Sequence, residues 1–266
     1  MSTEASVRPG TLARWWKSAR RFVVPVAIVI LWQLVCSAGF VSPRMVPSPL
    51  SIFWTAVELV QTGELTTSLI VSLTRVAIGL TIGISLGVAL ALIAGLSRAG
   101  EDAIDATLQM FRTLPFLGLV PLFILWFGIG ETPKVALVVV GCVFPIYLAL
   151  FSGIRGLDKK LIEAGQTLGL TRWETIIHII LPGAVPSALV GLRYGLGIAL
   201  LSLVVSEQVN ADSGIGYLMT SARDVFRTDI IFLCLLIYAV LGLLADQIVR
   251  VLERSLLYWR PSFVKE

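Results

Sequence analysis

Apolar residues run through this chain in long blocks that short polar segments interrupt, the pattern of a protein that crosses a bilayer repeatedly. The blocks predict six spans, at about residues 22–39, 69–96, 115–127, 134–151, 186–205 and 230–249. The third is short and, with Pro121 inside it, is expected to bend; the fourth carries Pro145. Pro43, Pro47 and Pro49 break the chain after the first span, ahead of a short helix beginning near Ser51 that is expected at the outer interface. The segment holding Arg98, Glu101, Asp102, Asp105 and Arg112 reads as a polar loop, and residues 207–229 read as another.

One polar stretch, residues 158–182, stands apart. Asp158 is positioned to cap a short helix running to Leu168, and Gly169 sits where a left-handed residue would end it. Thr171 and Glu174 have capping-box spacing, and Trp173, Ile176, Ile177 and Ile180 form one apolar face of a second helix that Pro182 is expected to stop. In the second span Gly79, Gly83, Gly87, Ala91 and Gly95 recur every four residues, a stripe that lets another helix approach closely in lipid. Arg75 continues that stripe and is expected to face protein.

Composition agrees: of 266 residues, 56% are hydrophobic and 14% charged, with a mean hydropathy of +0.89, which excludes an ordinary soluble domain. Charge placement orients the spans. Arg8, Arg14, Lys17, Arg20, Arg21, Arg98, Arg112, Arg155, Lys159, Lys160, Arg172, Arg250, Arg254, Arg260 and Lys265 fall on one side, against Arg44, Lys134, Arg223 and Arg227 on the other. Both termini and the 158–182 stretch are therefore expected in the cytoplasm of a multi-pass plasma-membrane protein. The expected divisions are a cytoplasmic N-terminal segment at 1–21, a single transmembrane domain at 22–250 and a cytoplasmic tail at 251–266. The basic N-terminus and the apolar run from Phe22 read as a retained anchor, since further spans follow.

Candidate chemistry is sparse. No glycine-rich segment ends in a P-loop Lys-Ser or Lys-Thr; Gly95 and Gly100 have the spacing, but Glu101 follows. No catalytic or metal-ligating group stands out. His178, the only histidine, falls off the main apolar face, and Cys36, Cys142 and Cys234 lie far apart in apolar runs. Arg75 and Arg193 are ionisable groups within spans, where such residues pair, line a water path or snorkel to headgroups. One or both could set a positive potential for an anionic solute.

Glu163, Ala164, Gly165, Gly169, Ile179, Leu181 and Pro182 have the spacing of the EAA loop and resemble that of binding-protein-dependent ABC importer permeases; only Gly165 departs, where a second alanine is usual. Val46-Pro47-Ser48-Pro49, Ser72-Leu73-Thr74-Arg75, Leu125-Trp126-Phe127-Gly128-Ile129-Gly130-Glu131, Gly191-Leu192-Arg193 and Ser213-Gly214-Ile215-Gly216-Tyr217 are similar to the nitrate, sulfonate and taurine subgroup. The resemblance implies an all-α integral membrane protein with the six-helix type I ABC importer permease fold, whose 158–182 loop is a cytoplasmic coupling helix. It implies ABC ATPase subunits that hold the ATP and magnesium, an external substrate-binding protein, and a second permease subunit in a homodimer. The chain itself would carry no cofactor, and nucleic acid is not expected among its partners. Glu207, Asp212 and Gly214, in the outer loop, and the segment from Pro43 to Gly63 are the candidates for docking the binding protein. The cargo implied first is an aliphatic sulfonate or taurine, with nitrate, bicarbonate or a pyrimidine precursor as alternatives. A secondary carrier that needs no partner would leave the capped loop without a role, and a membrane enzyme would want clustered polar groups in the spans.

Overall fold

A computed structural model of the chain describes residues 11–115 and 118–259. The expected segments at 1–10 and 260–266 lie outside the described residues, as do 116–117 of the expected third span. The described secondary structure is helical: α1 (Thr11–Ser37), α2 (Pro49–Gln61), α3 (Glu64–Leu96), α4 (Arg98–Arg112), α5 (Leu119–Phe127), α6 (Glu131–Arg155), α7 (Lys159–Thr167), α8 (Arg172–Thr175), α9 (Leu181–Asn210), α10 (Ile215–Asp224) and α11 (Thr228–Leu256). Four helical stretches are long and apolar enough to cross a membrane: α3, α6, α11 and Arg172–Val209. In α1 the apolar portion is Val23–Ser37.

The centre of the bundle is α6, gripped by α3 on one side and α9 on the other. Small residues make both approaches possible. Along α3, a Cβ on Gly79 would lie 2.5 Å from Cγ1 of Val138, one on Gly87 would meet Ile146 at 3.0 Å, and one on Gly83 would overlap the Cys142 thiol. The stripe in the sequence is therefore the seam along which α3 meets α6. Across the other seam, Gly191 lets α9 come within contact of the Pro145 carbonyl and Ala149. Dispersion between closely approaching helices replaces the hydrophobic drive that lipid cannot supply. Tyr147, Leu137 and Val138 on α6 are fully enclosed as a result.

Three expectations fail locally. The segment 98–112 is a helix, not a loop: Ser97 caps it by accepting from the Gly100 N–H at 2.8 Å, and Ile104 and Leu108 form an apolar stripe against the α3 and α6 core. Its charges hid an amphipathic period. Among the described residues of the third apolar segment the α-helix is the nine-residue α5, about 13 Å long at 1.5 Å per residue, too short by itself to cross a bilayer core. Pro182 does not stop the second helix of the polar stretch. Residues Ile176–Ile180 form a π-helical turn that joins α8 to α9, with the Leu181 N–H donating to the Ile176 carbonyl, so helix continues from Arg172 through Asn210. The wider turn makes room for a proline ring that would collide with a carbonyl in a regular turn.

Candidate functional site

At the end of the bundle where α3 finishes, α7 and α8 form a protruding knob whose geometry follows from local chemistry. Asp158 accepts from the Lys160 N–H at 2.9 Å and starts α7. At its other end Gly169 has φ +84°, with its N–H on the Gln166 carbonyl and the Leu170 N–H on the Gly165 carbonyl, both at 3.0 Å. This is the paired C-terminal closure that a left-handed residue permits. Thr171 and Glu174 then complete the capping box: the Thr171 N–H donates to Glu174 Oε2 at 2.7 Å, and the Glu174 N–H donates to Thr171 Oγ1 at 3.3 Å.

Glu163, Ala164 and Gly169 are exposed on this knob, as are Leu161 and Leu168, an apolar pair on an otherwise polar element. Gly165 is buried: a Cβ there would lie 2.5 Å from Cδ1 of Ile179. The methyl of Ile179 thus occupies the space that the usual alanine would fill, which ties two residues of the sequence motif together across 14 positions. Leu181 and Pro182 lie just past the π-helical turn, half-buried at the root of the knob. His178 is exposed, with Nδ1 3.0 Å from the Glu174 carbonyl.

Toward the other end of α3 lies a buried ionic cluster that sequence reasoning missed. Arg75 is 3% exposed. Its Nε and Nη2 reach Glu131 at 2.5 and 2.7 Å, and its Nη1 reaches Glu207 and the Ser213 carbonyl at 2.7 Å each. Glu207, 1% exposed, also receives the Gly216 N–H at 2.9 Å and lies 2.8 Å from the Ser72 hydroxyl, which itself accepts the Ile215 N–H at 2.9 Å. The first amides of α10 thus point at a carboxylate system, the favoured polarity for a helix N-terminus. Gly214, at φ +117°, is wedged in so closely that a Cβ would collide with Glu207 and come 2.7 Å from Arg75 Nη1. The cluster joins α3, α6, α9 and α10 at one point.

This corrects the reading of residues 207–229 as an exposed loop. Glu207 lies in the last turn of α9 and faces inward, so neither it nor buried Gly214 offers a surface for a docking protein; Asp212 is exposed. The span of α9 outlasts its apolar run because Glu207 finds a buried partner. Arg75 is likewise no free cation: with buried Lys134, whose Nζ lies 2.9 Å from Glu131, it sets two cations against the two carboxylates. Arg193 is half-buried and paired with α11, its Nε 3.1 Å from Asp246 and its Nη2 2.8 Å from Glu253. The signal available in the sequence was physical: an arginine inside a span requires acids, and Glu131 and Glu207 were two of several acids near span ends.

Three comparisons bear on what such an arrangement serves. The family described as binding-protein-dependent transport system inner membrane component matches residues 79–258. The aliphatic sulfonates transport permease protein SsuC of Escherichia coli (strain K12) is 46% identical over 253 residues, covering 94% of this chain and 95% of that one. Its namesake from Bacillus subtilis (strain 168) is 41% identical, with 96% and 92% covered. Among solved structures, one described as an amino acid ABC transporter with histidines superposes with a TM-score of 0.60 at 20% identity, over 75% of this chain and 97% of the other, a likeness of fold.

Proposed function

The chain belongs to the inner membrane component family of binding-protein-dependent transport systems, and from that premise we propose that it carries an aliphatic sulfonate inward as half of a permease pair. It is a transport permease subunit, a multi-pass inner membrane protein, and not the enzyme of its system. In this reading two ATPase subunits seat the α7 knobs, an external binding protein delivers the cargo, and both termini face the cytoplasm. The Lys and Arg asymmetry of the sequence supports that orientation.

The observation that carries the coupling role is the knob itself. Two caps and a glycine closure hold an exposed α7, with Glu163 outward, on a helix continuous with α9. Pushing the two knobs of a pair together would tilt α9, and α6 packed on it, as rigid levers. Residue 163 then transmits force to the ATPase, and the Gly165–Ile179 contact keeps the knob from folding away from its root. The near-full-length similarity to two aliphatic sulfonate permeases supports the cargo class; taurine shares the sulfonate group, with an ammonium beside it.

The test is ATP hydrolysis and uptake by the subunit reconstituted in liposomes with its ATPase and binding protein, scanned over alkanesulfonates, taurine, nitrate and bicarbonate. Stimulation by sulfonates is expected, and Glu163→Lys or Gly169→Pro should abolish uptake with the subunit still inserted. A response to nitrate or bicarbonate alone would replace the cargo; normal uptake in both variants would remove the role of the knob.

A further inference from the structure

Between the knob and the bundle lie two adjoining cavities, of about 470 and 880 Å³. Leu96, Arg172 and Ile176 line both, so they form one continuous groove. Its two halves differ in character. The larger is walled by Leu92 and Ile93 of the α3 span and by Trp173. The smaller is entered between Arg155, Lys159 and Arg172 over an apolar floor. No Asp or Glu lines either part. Arg155 is committed to Glu101 and to the Ala94 and Ser97 carbonyls. Among the described residues, Lys159 and Arg172 have no carboxylate within ion-pair distance, and both are exposed.

We propose that this groove is a binding site for one anionic phospholipid. The phosphate would rest between Lys159 and Arg172, and an acyl chain would run up the Leu92, Ile93 and Ile176 wall. Three observations agree on this occupant. An acid-free cavity with two unmatched cations attracts an anion. The apolar half is continuous with the lipid-facing side of α3, where Ile93 is exposed, so the ligand has to be an anion with a hydrocarbon tail. Trp173, 69% exposed beside Arg172, supplies an indole, a side chain that membrane–water interfaces favour. Basic pockets at the cytoplasmic ends of spans take such headgroups, each Lys or Arg adding about 1 kcal/mol. Because the groove runs under the knob, the lipid would brace α7 and α8 against α3. This inference rests on the membrane placement of the bundle and not on the cargo.

The experiment is native mass spectrometry of the intact transporter complex released from nanodiscs of phosphatidylcholine with graded phosphatidylglycerol. One phosphatidylglycerol per permease chain should persist. Lys159→Gln with Arg172→Gln should weaken its preference over phosphatidylcholine by about thirtyfold, the loss for two such residues. Lys159→Arg with Arg172→Lys should retain it, which separates charge from misfolding. Arg98→Gln, an exposed cation at the same end outside the groove, should change nothing. An unchanged preference in the double glutamine variant, or an equal loss with Arg98→Gln, would overturn the site. So would displacement of the phosphatidylglycerol by inorganic phosphate in the mixed nanodiscs, which would make it a site for soluble anions. If phosphatidylglycerol binds only to complexes stripped of the ATPase subunits, the groove is the partner's seat and the proposal fails. Normal uptake in Glu163→Lys and Gly169→Pro with the lipid retained would remove the coupling role and leave this site standing.

Discussion

Arg75 and Glu207, 132 positions apart, meet at 2.7 Å with both side chains enclosed, so the N-terminal half of α3 and the C-terminal end of α9 are joined by a buried salt bridge. Removing one partner of a buried pair leaves an unmatched charge and costs about 3–5 kcal/mol. Glu131 still faces Arg75, so Glu207→Leu is expected at the lower end, about 3 kcal/mol, read as a lowered thermal midpoint of the detergent-solubilised subunit. Arg75→Met with Glu207→Leu should lose less than the sum of the single changes by about 1 kcal/mol or more. Additive losses, or a loss of uptake at unchanged stability, would show that Arg75 acts on the cargo instead.

The α3 and α6 seam makes a sharper contrast. A Cβ at Gly83 overlaps the Cys142 thiol and lies 3.0 Å from the Val139 carbonyl, which is backbone and cannot step aside. Gly83→Ala should therefore destabilise by about 1–3 kcal/mol. At Gly197 on α9 an added Cβ meets nothing within 4 Å. Gly197→Ala should be neutral or stabilise the solubilised subunit by up to about 1 kcal/mol through helix propensity. Equal thermal midpoints for the two variants would refute the close approach.

In the knob the two glycines are expected to behave oppositely. Gly165→Ala displaces only the far ends of Ile179 and Leu170, and the gain in helix propensity, about 1 kcal/mol, offsets that shift. Gly169→Ala places a Cβ at φ +84° and should cost about 1–2 kcal/mol. Amide hydrogen exchange over 159–170 measures both: faster exchange is expected in the second variant only, and Ile179→Val should restore whatever Gly165→Ala loses.

Thr171→Ala removes the side-chain half of the capping box and should cost about 1 kcal/mol, confined to the start of α8. Exchange should accelerate at residues 172–176 and stay unchanged in α6. A global loss of protection would mean that the cap supports more than the knob.

What the sequence determined by itself is what local chemistry dictates. Hydropathy set the all-α membrane class, Asp158, Gly169 and the Thr171–Glu174 box set the knob, and four-residue spacing set the glycine stripe, because each depends on neighbours within one or two turns. The tertiary structure decided the rest. It turned the charged 98–112 segment into an amphipathic helix by giving Ile104 and Leu108 a surface to cover. It carried helix through Pro182 by widening a turn, and drew Glu207 inward by supplying Arg75. Arg75 finds its two acids 56 and 132 residues away, and a buried charge declares only that it needs an opposite one, not where along the chain it will be found.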